Sequence, residues 1–359
     1  MQIEIGLNVA QQNAASAPPA SAQTERAADA RWPAGRRENR HGVYAAIDLG
    51  TNNCRLLVAR PSDGGFTVVD AFSRIVRLGE GLAQTGRLSQ EAMDRAVIAL
   101  GVCSDKLKRR KVTLARSVAT EACRRAENGG EFIDRVREET GIALEIIPPA
   151  EEARLAVLGC HKLLDPGDGP ALIFDIGGGS TELVLVEPGD PTPRIKAWWS
   201  APWGVVSLTE SEGREAIEGP DRLSAYSRMR ERAKRAFAQF AEVLPRDADD
   251  IRLLGTSGTV TTLASVHLAL PSYDRRAIDG LQVPCHAMRE ISTTIAAMDL
   301  SQRASLPCIG HERADLVVAG CAILEAILDI WPAERLGVAD RGIREGILRS
   351  MMARDGFVL

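Results

Sequence analysis

Two glycine-rich turns in the chain each follow a short apolar segment that ends in an aspartate. The first reads Asp48-Leu-Gly-Thr-Asn-Asn, and the second reads Asp175-Ile-Gly-Gly-Gly-Ser-Thr. Glycines allow backbone N–H groups to converge without obstruction by a Cβ atom, and such a nest binds phosphate oxygens. A carboxylate at the end of the preceding strand can hold Mg²⁺ directly or through water. For one turn alone, a tight hairpin without a ligand is the simpler interpretation.

The two turns belong to an internal repeat. A single shift along the chain places the segment 44–59 on the segment 171–186 and aligns Asp48 with Asp175 and the first glycine of each turn. A third turn, 253–259, is rich in glycine and hydroxyl residues and loosely resembles part of the first copy. We interpret the pattern as a duplicated lobe, which would bring two related sites face to face across a cleft. Because two such turns occur at equivalent positions of the repeat and a third resembles them, we favour phosphate binding over the interpretation as simple hairpins.

The two copies differ after the turn, where the first has Arg55 and the second has Glu182. A second carboxylate seven residues after Asp175 is consistent with a metal site in the second lobe only. An ordinary salt-bridged strand residue would explain Glu182 equally well.

Two adjacent acids, Glu151 and Glu152, follow a pair of prolines near the join between the repeats. A carboxylate there could polarise an attacking water, because phosphoryl transfer to water needs a positioned base. Acids in the first turn of a helix also match the helix dipole, and spacing alone favours that interpretation.

Two groups of basic residues could contact a polyanion. Arg124 and Arg125 follow a predicted strand, and one of them could bind phosphate with two hydrogen bonds. The basic run Lys106–Lys111 ends the first long helix. We interpret this run as a solvated helix end, with a landing rim for a long polyanion as the alternative.

The elements that must position these residues alternate between strand and helix, which indicates an α/β fold with mixed sheets. The predicted strands span residues 43–47, 55–60, 66–72, 112–118, 144–147, 171–175, 183–187, 194–199 and 251–254. The predicted helices span residues 89–108, 130–140, 151–164, 222–244 and 315–330. Residues 1–42 are rich in Ala, Gln, Pro and Arg and are predicted to be a disordered tail.

Composition limits the class of protein. A length of 359 residues suggests two domains, and 45% hydrophobic with 26% charged residues is ordinary for a globular protein. A net charge of -4 does not favour nucleic acid, and no apolar stretch is long enough for a membrane span. Seven scattered cysteines without a Cys-x-x-Cys pair indicate reduced thiols and a cytoplasmic location. Neither a Gly-x4-Gly-Lys-Ser/Thr nor a Gly-x-Gly-x-x-Gly motif is present.

Six motifs together resemble the Ppx/GppA phosphatase family, which contains exopolyphosphatases and guanosine pentaphosphate phosphohydrolases and belongs to the actin/Hsp70/sugar-kinase superfamily. The resemblance covers about residues 43–355, and it is to the short, two-domain members that lack helical C-terminal domains. The motifs are Asp48-Leu-Gly-Thr-Asn, Ala119-Thr-Glu-Ala-Cys-Arg124, Glu151-Glu-Ala-Arg154, Asp175-Ile-Gly-Gly-Gly-Ser-Thr-Glu182, Gly255-Thr-Ser-Gly-Thr and Asp340-Arg-Gly-Ile-Arg-Glu-Gly346.

The resemblance implies two ribonuclease-H-like (actin-like ATPase) lobes, with mixed sheets flanked by helices and an active site in the interdomain cleft. We assign residues 43–153 to the first lobe and 154–359 to the second, with the last helix a candidate to pack back on the first lobe. The resemblance further implies that Glu152 is the general base and that Asp175 and Glu182 bind Mg²⁺ (or Mn²⁺). The residues expected to bind phosphate are Asp48, Thr51, Asn52, Asn53, Arg124, Gly177, Gly178, Gly179, Ser180, Thr181, Ser257 and Gly258.

The function that we expect from these residues is hydrolysis of the terminal phosphate of inorganic polyphosphate by a Glu-activated water. Guanosine pentaphosphate is the alternative substrate. An ATP-binding, kinase-like protein of the same superfamily is the alternative from another class. We expect no nucleic-acid or membrane partner and consider a homodimer as a candidate assembly.

Overall fold

The computed structural model describes residues 6–7, 42–164, 167, 169–189, 192–242 and 251–357. Most of the predicted tail, 1–42, and the last two residues of the helix predicted over 222–244 lie outside these residues. Gly6–Leu7 form a two-residue strand, β1, that pairs antiparallel with residues 197–198, which the composition of the tail did not indicate. No helix in the described part of the chain has both the length and the apolar character needed to cross a membrane.

The first lobe is built on a five-stranded mixed sheet. Its strands are β2 Tyr44–Leu49, β3 Asn53–Ser62, β4 Gly65–Ile75, β5 Leu114–Ala119 and β6 Leu144–Ile146. The helices in this part of the chain are α1 Leu82–Thr85, α2 Gln90–Arg109, α3 Glu121–Arg125, α4 Gly129–Thr140 and α5 Pro149–Cys160, with a 3₁₀ turn at His161–Leu163. The strand order is β4-β3-β2-β5-β6, in which β2 is antiparallel to β3 and parallel to β5.

The second lobe repeats this arrangement in a seven-stranded sheet. Its further strands are β7 Ala171–Ile176, β8 Thr181–Glu187, β9 Arg194–Ala201, β10 Arg252–Thr256, β11 Gln282–Pro284 and β12 Arg335–Ala339. The remaining helices are α6 Val205–Glu212, α7 Arg214–Glu218, α8 Arg222–Ala241, α9 Gly258–His267, α10 Arg275–Ile278, α11 Cys285–Ala297, α12 Leu300–Ser305, α13 Val317–Ile330 and α14 Ile343–Arg354. The order is β1-β9-β8-β7-β10-β12-β11, whose central five strands match the first sheet. The predicted α/β fold with two mixed sheets is therefore confirmed.

The period of two along a strand decides which way each aspartate points. In β2, Ala45, Ile47 and Leu49 share a buried cluster with α2, whereas Tyr44 and Ala46 share another with α14. Asp48 therefore lies on the α14 face. The same alternation in β7 turns Asp175 toward α5, so both carboxylates face the helices that join the lobes.

These two joining helices cross in direct backbone contact. Although α5 follows the first sheet in the chain, it packs on the second sheet, and α14 packs on the first. A Cβ atom on Gly159 would lie 2.0 Å from the carbonyl oxygen of Gly342, and one on Gly346 would lie 2.0 Å from that of Leu155. The crossing therefore requires glycine at both points, and it brings the start of α5 next to the ends of both central strands.

Several elements differ from those predicted. Helix α5 begins at Pro149, two residues earlier than predicted, and gives way to a 3₁₀ turn after Cys160. Helix α9 was not predicted, because it is buried on nearly all sides and carries no amphipathic pattern. The residue pattern did not indicate helix α14 either, since it packs between the lobes and has apolar residues on several faces. Only the family resemblance implied a last helix.

Candidate active site

The site begins as a row of side chains across each sheet. In the first sheet, Asp48 pairs across the strands with Arg55. In the second, Asp175 pairs with Glu182, and Glu182 pairs with Ser200. Directly opposite residues in antiparallel strands project to the same face, about 5 Å apart. Each lobe therefore presents its row to the same cleft.

Glu182 is held by hydroxyl groups. The hydroxyls of Ser180 and Ser200 both donate to Glu182 Oε1, at 2.7 and 2.9 Å. Glu182 is only 3% exposed, and burial raises its pKa to about 7. Burial also raises the pKa of Asp175 to about 6. The second lobe thus carries two neighbouring carboxyl groups whose charge is costly without a cation.

The structure distinguishes Glu152 from Glu151. Glu152 lines the cleft and is 6% exposed, and its Oε2 accepts from both terminal nitrogens of Arg124 at 3.2 Å. Glu151 instead pairs with Arg116 at 2.8 Å and with Arg154 at 2.7 Å. Burial, together with the nearby Glu182 carboxylate, raises the pKa of Glu152 well above its ordinary value. Glu152 is therefore the acid of this pair that faces the site.

Arg124 contacts the acids rather than the cavity. Besides Glu152, it donates to the carbonyl oxygen of Ile147 at 2.6 Å and to Glu121 Oε2 at 2.7 Å. Its side chain is not among those that line the cleft cavity, and its expected phosphate contact stays a prediction. In this geometry Arg124 orients the Glu152 carboxylate.

The two glycine turns meet across the cleft. A Cβ atom on Gly178 would lie 2.9 Å from Thr51 Cβ, and one on Gly179 would lie 2.7 Å from Thr51 Oγ1. A residue with a side chain at either position would therefore collide with Thr51, which explains why glycine occupies both. The cavity between the lobes has a volume of about 130 Å³, enough for several water molecules. The expected site residues that line it are Asp48, Thr51, Asn52, Asn53, Glu152, Asp175, Gly177, Gly178, Gly179, Ser180, Glu182, Ser257 and Gly258.

Thr181 is the expected residue of the second turn that does not line the cavity. Its hydroxyl donates to the carbonyl oxygen of Trp203 at 2.7 Å, and the residue is fully buried. Alternation along β8 turns Thr181 to the face opposite Glu182. Asn52, by contrast, is 9% exposed, and its Oδ1 has no hydrogen-bond partner among the described residues.

The third turn adds a strained residue and positive charge. Ser257 has φ +113° just before α9, and its hydroxyl lacks a hydrogen-bond partner within the described part of the chain. A Cβ atom on Gly258 would lie 3.8 Å from Arg313 Nη1 and 3.9 Å from Arg55 Nη2. Strained residues gather at ligand sites, and a helix N-terminus favours anions. Two guanidinium groups from different lobes thus converge on this helix start.

Sequence reasoning did not assign Arg55, Arg313 or Ser200 to the site. Arg55 carried a signal, since it occupies the position of Glu182 in the repeat. Ser200 also carried one, because the shift that aligns Asp48 with Asp175 aligns Ser73 with Ser200. Arg313 precedes α13, far along the chain, and no local pattern marks it.

The donors at the site suit a hard divalent cation. Among the described residues, no group of three or more His, Cys, Asp and Glu side chains is arranged to hold a metal ion by itself. Mg²⁺ commonly takes one or two protein carboxylates and completes its shell with water and substrate phosphates. The buried Glu182 and the adjacent, half-buried Asp175 fit that requirement.

The basic rim at Lys106–Lys111 lies away from the cleft. Lys106 and Arg110 both pair with Asp70, at 2.7 and 2.8 Å. After this run the chain continues into β5, and just before that strand the N–H of Thr113 donates to the carbonyl oxygen of Val43, which precedes β2. Asp48 lies near the other end of β2. Five residues of strand separate these points by about 17 Å. This location favours the solvated helix end over the landing rim.

Comparison with known proteins agrees with this geometry. The chain is 32% identical over 320 residues to "Exopolyphosphatase 2" of Mycobacterium tuberculosis, covering 86% of this chain and 98% of that protein. It is 31% identical over 319 residues to a guanosine-5'-triphosphate,3'-diphosphate pyrophosphatase of Aeromonas hydrophila, covering 87% of this chain and 60% of that protein. The crystal structure of the Aquifex aeolicus Ppx/GppA family member matches with a TM-score of 0.72 at 29% identity, covering 88% of this chain and 99% of that one. The model of the Ppx/GppA phosphatase family matches residues 57–355, and the chain therefore belongs to that family.

Proposed function

We propose that this chain hydrolyses the terminal phosphate of inorganic polyphosphate, with guanosine pentaphosphate as the alternative substrate. Family membership makes the chain a hydrolase of phosphoanhydride bonds, and the names of the two relatives support the two substrates respectively. The observation that carries the proposal is the buried Glu152 carboxylate, which faces a cavity lined by two glycine turns.

In the proposed reaction, Glu152 accepts a proton from water while the water oxygen attacks the terminal phosphorus. The bond from that phosphorus to the bridging oxygen breaks, and the shortened chain leaves with the electron pair. A base works best when its pKa approaches the working pH, so the raised pKa of Glu152 suits this role. Its two hydrogen bonds from Arg124 hold the carboxylate in one orientation.

Phosphoryl transfer depends mainly on positioning and charge stabilisation. The backbone N–H groups of the turns at 51–53 and 178–180 would hold the terminal phosphate. Arg55, Arg313 and the N-terminus of α9 would receive the next phosphates of the chain, because they supply two charges and free N–H groups. Asp175 and Glu182 would hold Mg²⁺ or Mn²⁺, which when bound offsets negative charge on phosphoryl oxygens.

The test compares Glu152→Gln with its neighbour Glu151→Gln. We expect the first change to lower kcat by about 10²–10⁴-fold and to leave tripolyphosphate binding nearly intact, because the base acts on water. The second change removes an acid that points away from the cavity and should leave kcat near that of the wild type. An equal loss in both variants, or none in Glu152→Gln, would contradict the assignment.

Substrate choice is tested by phosphate release from long-chain polyphosphate, tripolyphosphate and guanosine pentaphosphate, each without an acceptor. Faster release from polyphosphate supports the proposal, and faster release from guanosine pentaphosphate supports the alternative. Phosphate transfer from ATP to an added sugar, with no release in its absence, would instead support a kinase-like protein.

A further inference from the structure

Ser200 stands at a repeated position in the fold. The shift that aligns Asp48 with Asp175 and Arg55 with Glu182 also aligns Ser73 with Ser200. In both lobes the serine lies on the third strand, directly opposite the second residue of the row. The first row therefore ends in Arg55 and Ser73, whereas the second ends in a carboxylate and Ser200.

The carboxylate gives Ser200 a partner. Its hydroxyl donates to Glu182 Oε1 at 2.9 Å, and Ser180 donates to the same oxygen at 2.7 Å. A carboxylate oxygen has two lone pairs, so these two donors occupy Oε1. The other oxygen, Oε2, lies 4.0 Å from the position that a Cβ atom would take on Gly177, on the side of the turn. No described residue donates a hydrogen bond to Oε2, so Glu182 faces the cleft with this oxygen open.

We infer that Ser200 is a positioning residue, which holds Glu182 so that only Oε2 is free to bind a divalent cation. This inference rests on the proposed function, because it needs a cation at Glu182. Groups that hydrogen-bond to a metal ligand fix its orientation, and their removal typically weakens metal binding by about 10–100-fold. Ser180 sits in the turn itself, but Ser200 acts from a neighbouring strand, outside the glycine motif.

The test measures Mn²⁺ binding by the full chain without substrate, from the electron paramagnetic resonance signal of free Mn²⁺. Ser200→Ala should weaken Mn²⁺ binding by about 10–100-fold, and Ser200→Thr, which keeps a hydroxyl, should restore most of it. Ser73→Ala is the matched control, since it deletes a hydroxyl at the equivalent position of the lobe without the carboxylate. It should bind Mn²⁺ like the wild type.

Two outcomes would overturn the inference about Ser200. One is Mn²⁺ binding by Ser200→Ala equal to that of the wild type; the other is equal weakening in Ser200→Ala and Ser200→Thr, which would point to strand packing. Glu182→Gln separates this inference from the proposed function. If Glu182→Gln also binds Mn²⁺ normally, the metal assignment is wrong; if it loses Mn²⁺ while Ser200→Ala does not, only the role of Ser200 is wrong.

Discussion

Replacing Glu182 by glutamine should stabilise the metal-free protein at alkaline pH. The pKa of Glu182 rises from its ordinary value of 4.5 to about 7 because the folded protein buries the carboxyl group. The folded state then binds the proton more tightly than the unfolded state does. The stability associated with this group is therefore fully present below pH 4.5 and is lost as the pH rises through about 7.

The size of the effect follows from the same values. A rise in pKa from 4.5 to about 7 corresponds to about 3 kcal/mol, at about 1.36 kcal/mol for each pH unit. Glutamine has no charge to bury, and its side-chain oxygen can still accept from Ser180 and Ser200. The free energy of unfolding of Glu182→Gln should thus exceed that of the wild type by up to about 3 kcal/mol at pH 8. At pH 5 the difference should fall to about 1 kcal/mol, because the unfolded state is already mostly ionised there while the folded state is still protonated.

The assay is urea denaturation of both proteins at pH 5 and pH 8 with a chelator present, followed by circular dichroism. Glu187→Gln, at the far end of the same strand, is the control, because the ion pairs of Glu187 with Arg194 and Lys196 lie at the surface. Its effect on the free energy of unfolding should stay within about 1 kcal/mol at both pH values. Adding Mg²⁺ at pH 8 should stabilise the wild type more than Glu182→Gln, since only the wild type retains both carboxylates. An equal difference between Glu182→Gln and the wild type at pH 5 and pH 8 would refute the reasoning.

Three further predictions concern the crossing helices and the approach of the substrate. Gly159→Ala should lower the free energy of unfolding by about 1–3 kcal/mol, because its Cβ atom would meet backbone. Gly101→Ala, in an open helical position, should raise the free energy of unfolding by about 0.5–1 kcal/mol. Urea denaturation measures both changes. Arg55→Gln should raise KM for tripolyphosphate about tenfold or more, through loss of a charge-assisted contact, and steady-state phosphate release measures it. Charge reversal at Arg109 and Arg110 should leave KM for long-chain polyphosphate unchanged, because the basic rim lies away from the cleft. A rise in KM would instead show that the rim binds the substrate.

Much of the fold could be predicted from local pattern. Apolar segments followed by an aspartate and a glycine turn occur twice in the same order, which indicated two lobes with related sites. Strand-forming segments and their alternation are local properties, so strands β2 to β10 were predicted from them. The outer strands of the second sheet, β1, β11 and β12, were not predicted. Several helices were missed, among them α6, α9, α11 and α14. Of these, α9 and α14 are buried on several faces and carry no periodic signal.

The chemistry of the site depended more on tertiary packing. Glu151 and Glu152 are adjacent on one helix, where successive side chains point about 100° apart, so spacing could not tell which one faces the cleft. The packing of α5 on the second sheet places Glu152 in the cleft and turns Glu151 toward Arg116. In this packing Arg124 donates hydrogen bonds to the carboxylates of Glu152 and Glu121.

Long-range contacts decided the rest. Arg313 reaches Gly258 only because α13 and α9 pack together, and the basic rim lies far from the cleft because α2 ends where β2 begins. The sequence by itself indicated candidate phosphate and metal ligands in the glycine turns, since residue type and turn geometry are local, but it did not indicate Arg55 or Arg313. Only the tertiary structure decided which of them meet, because that depends on which faces of the helices and sheets are buried against one another.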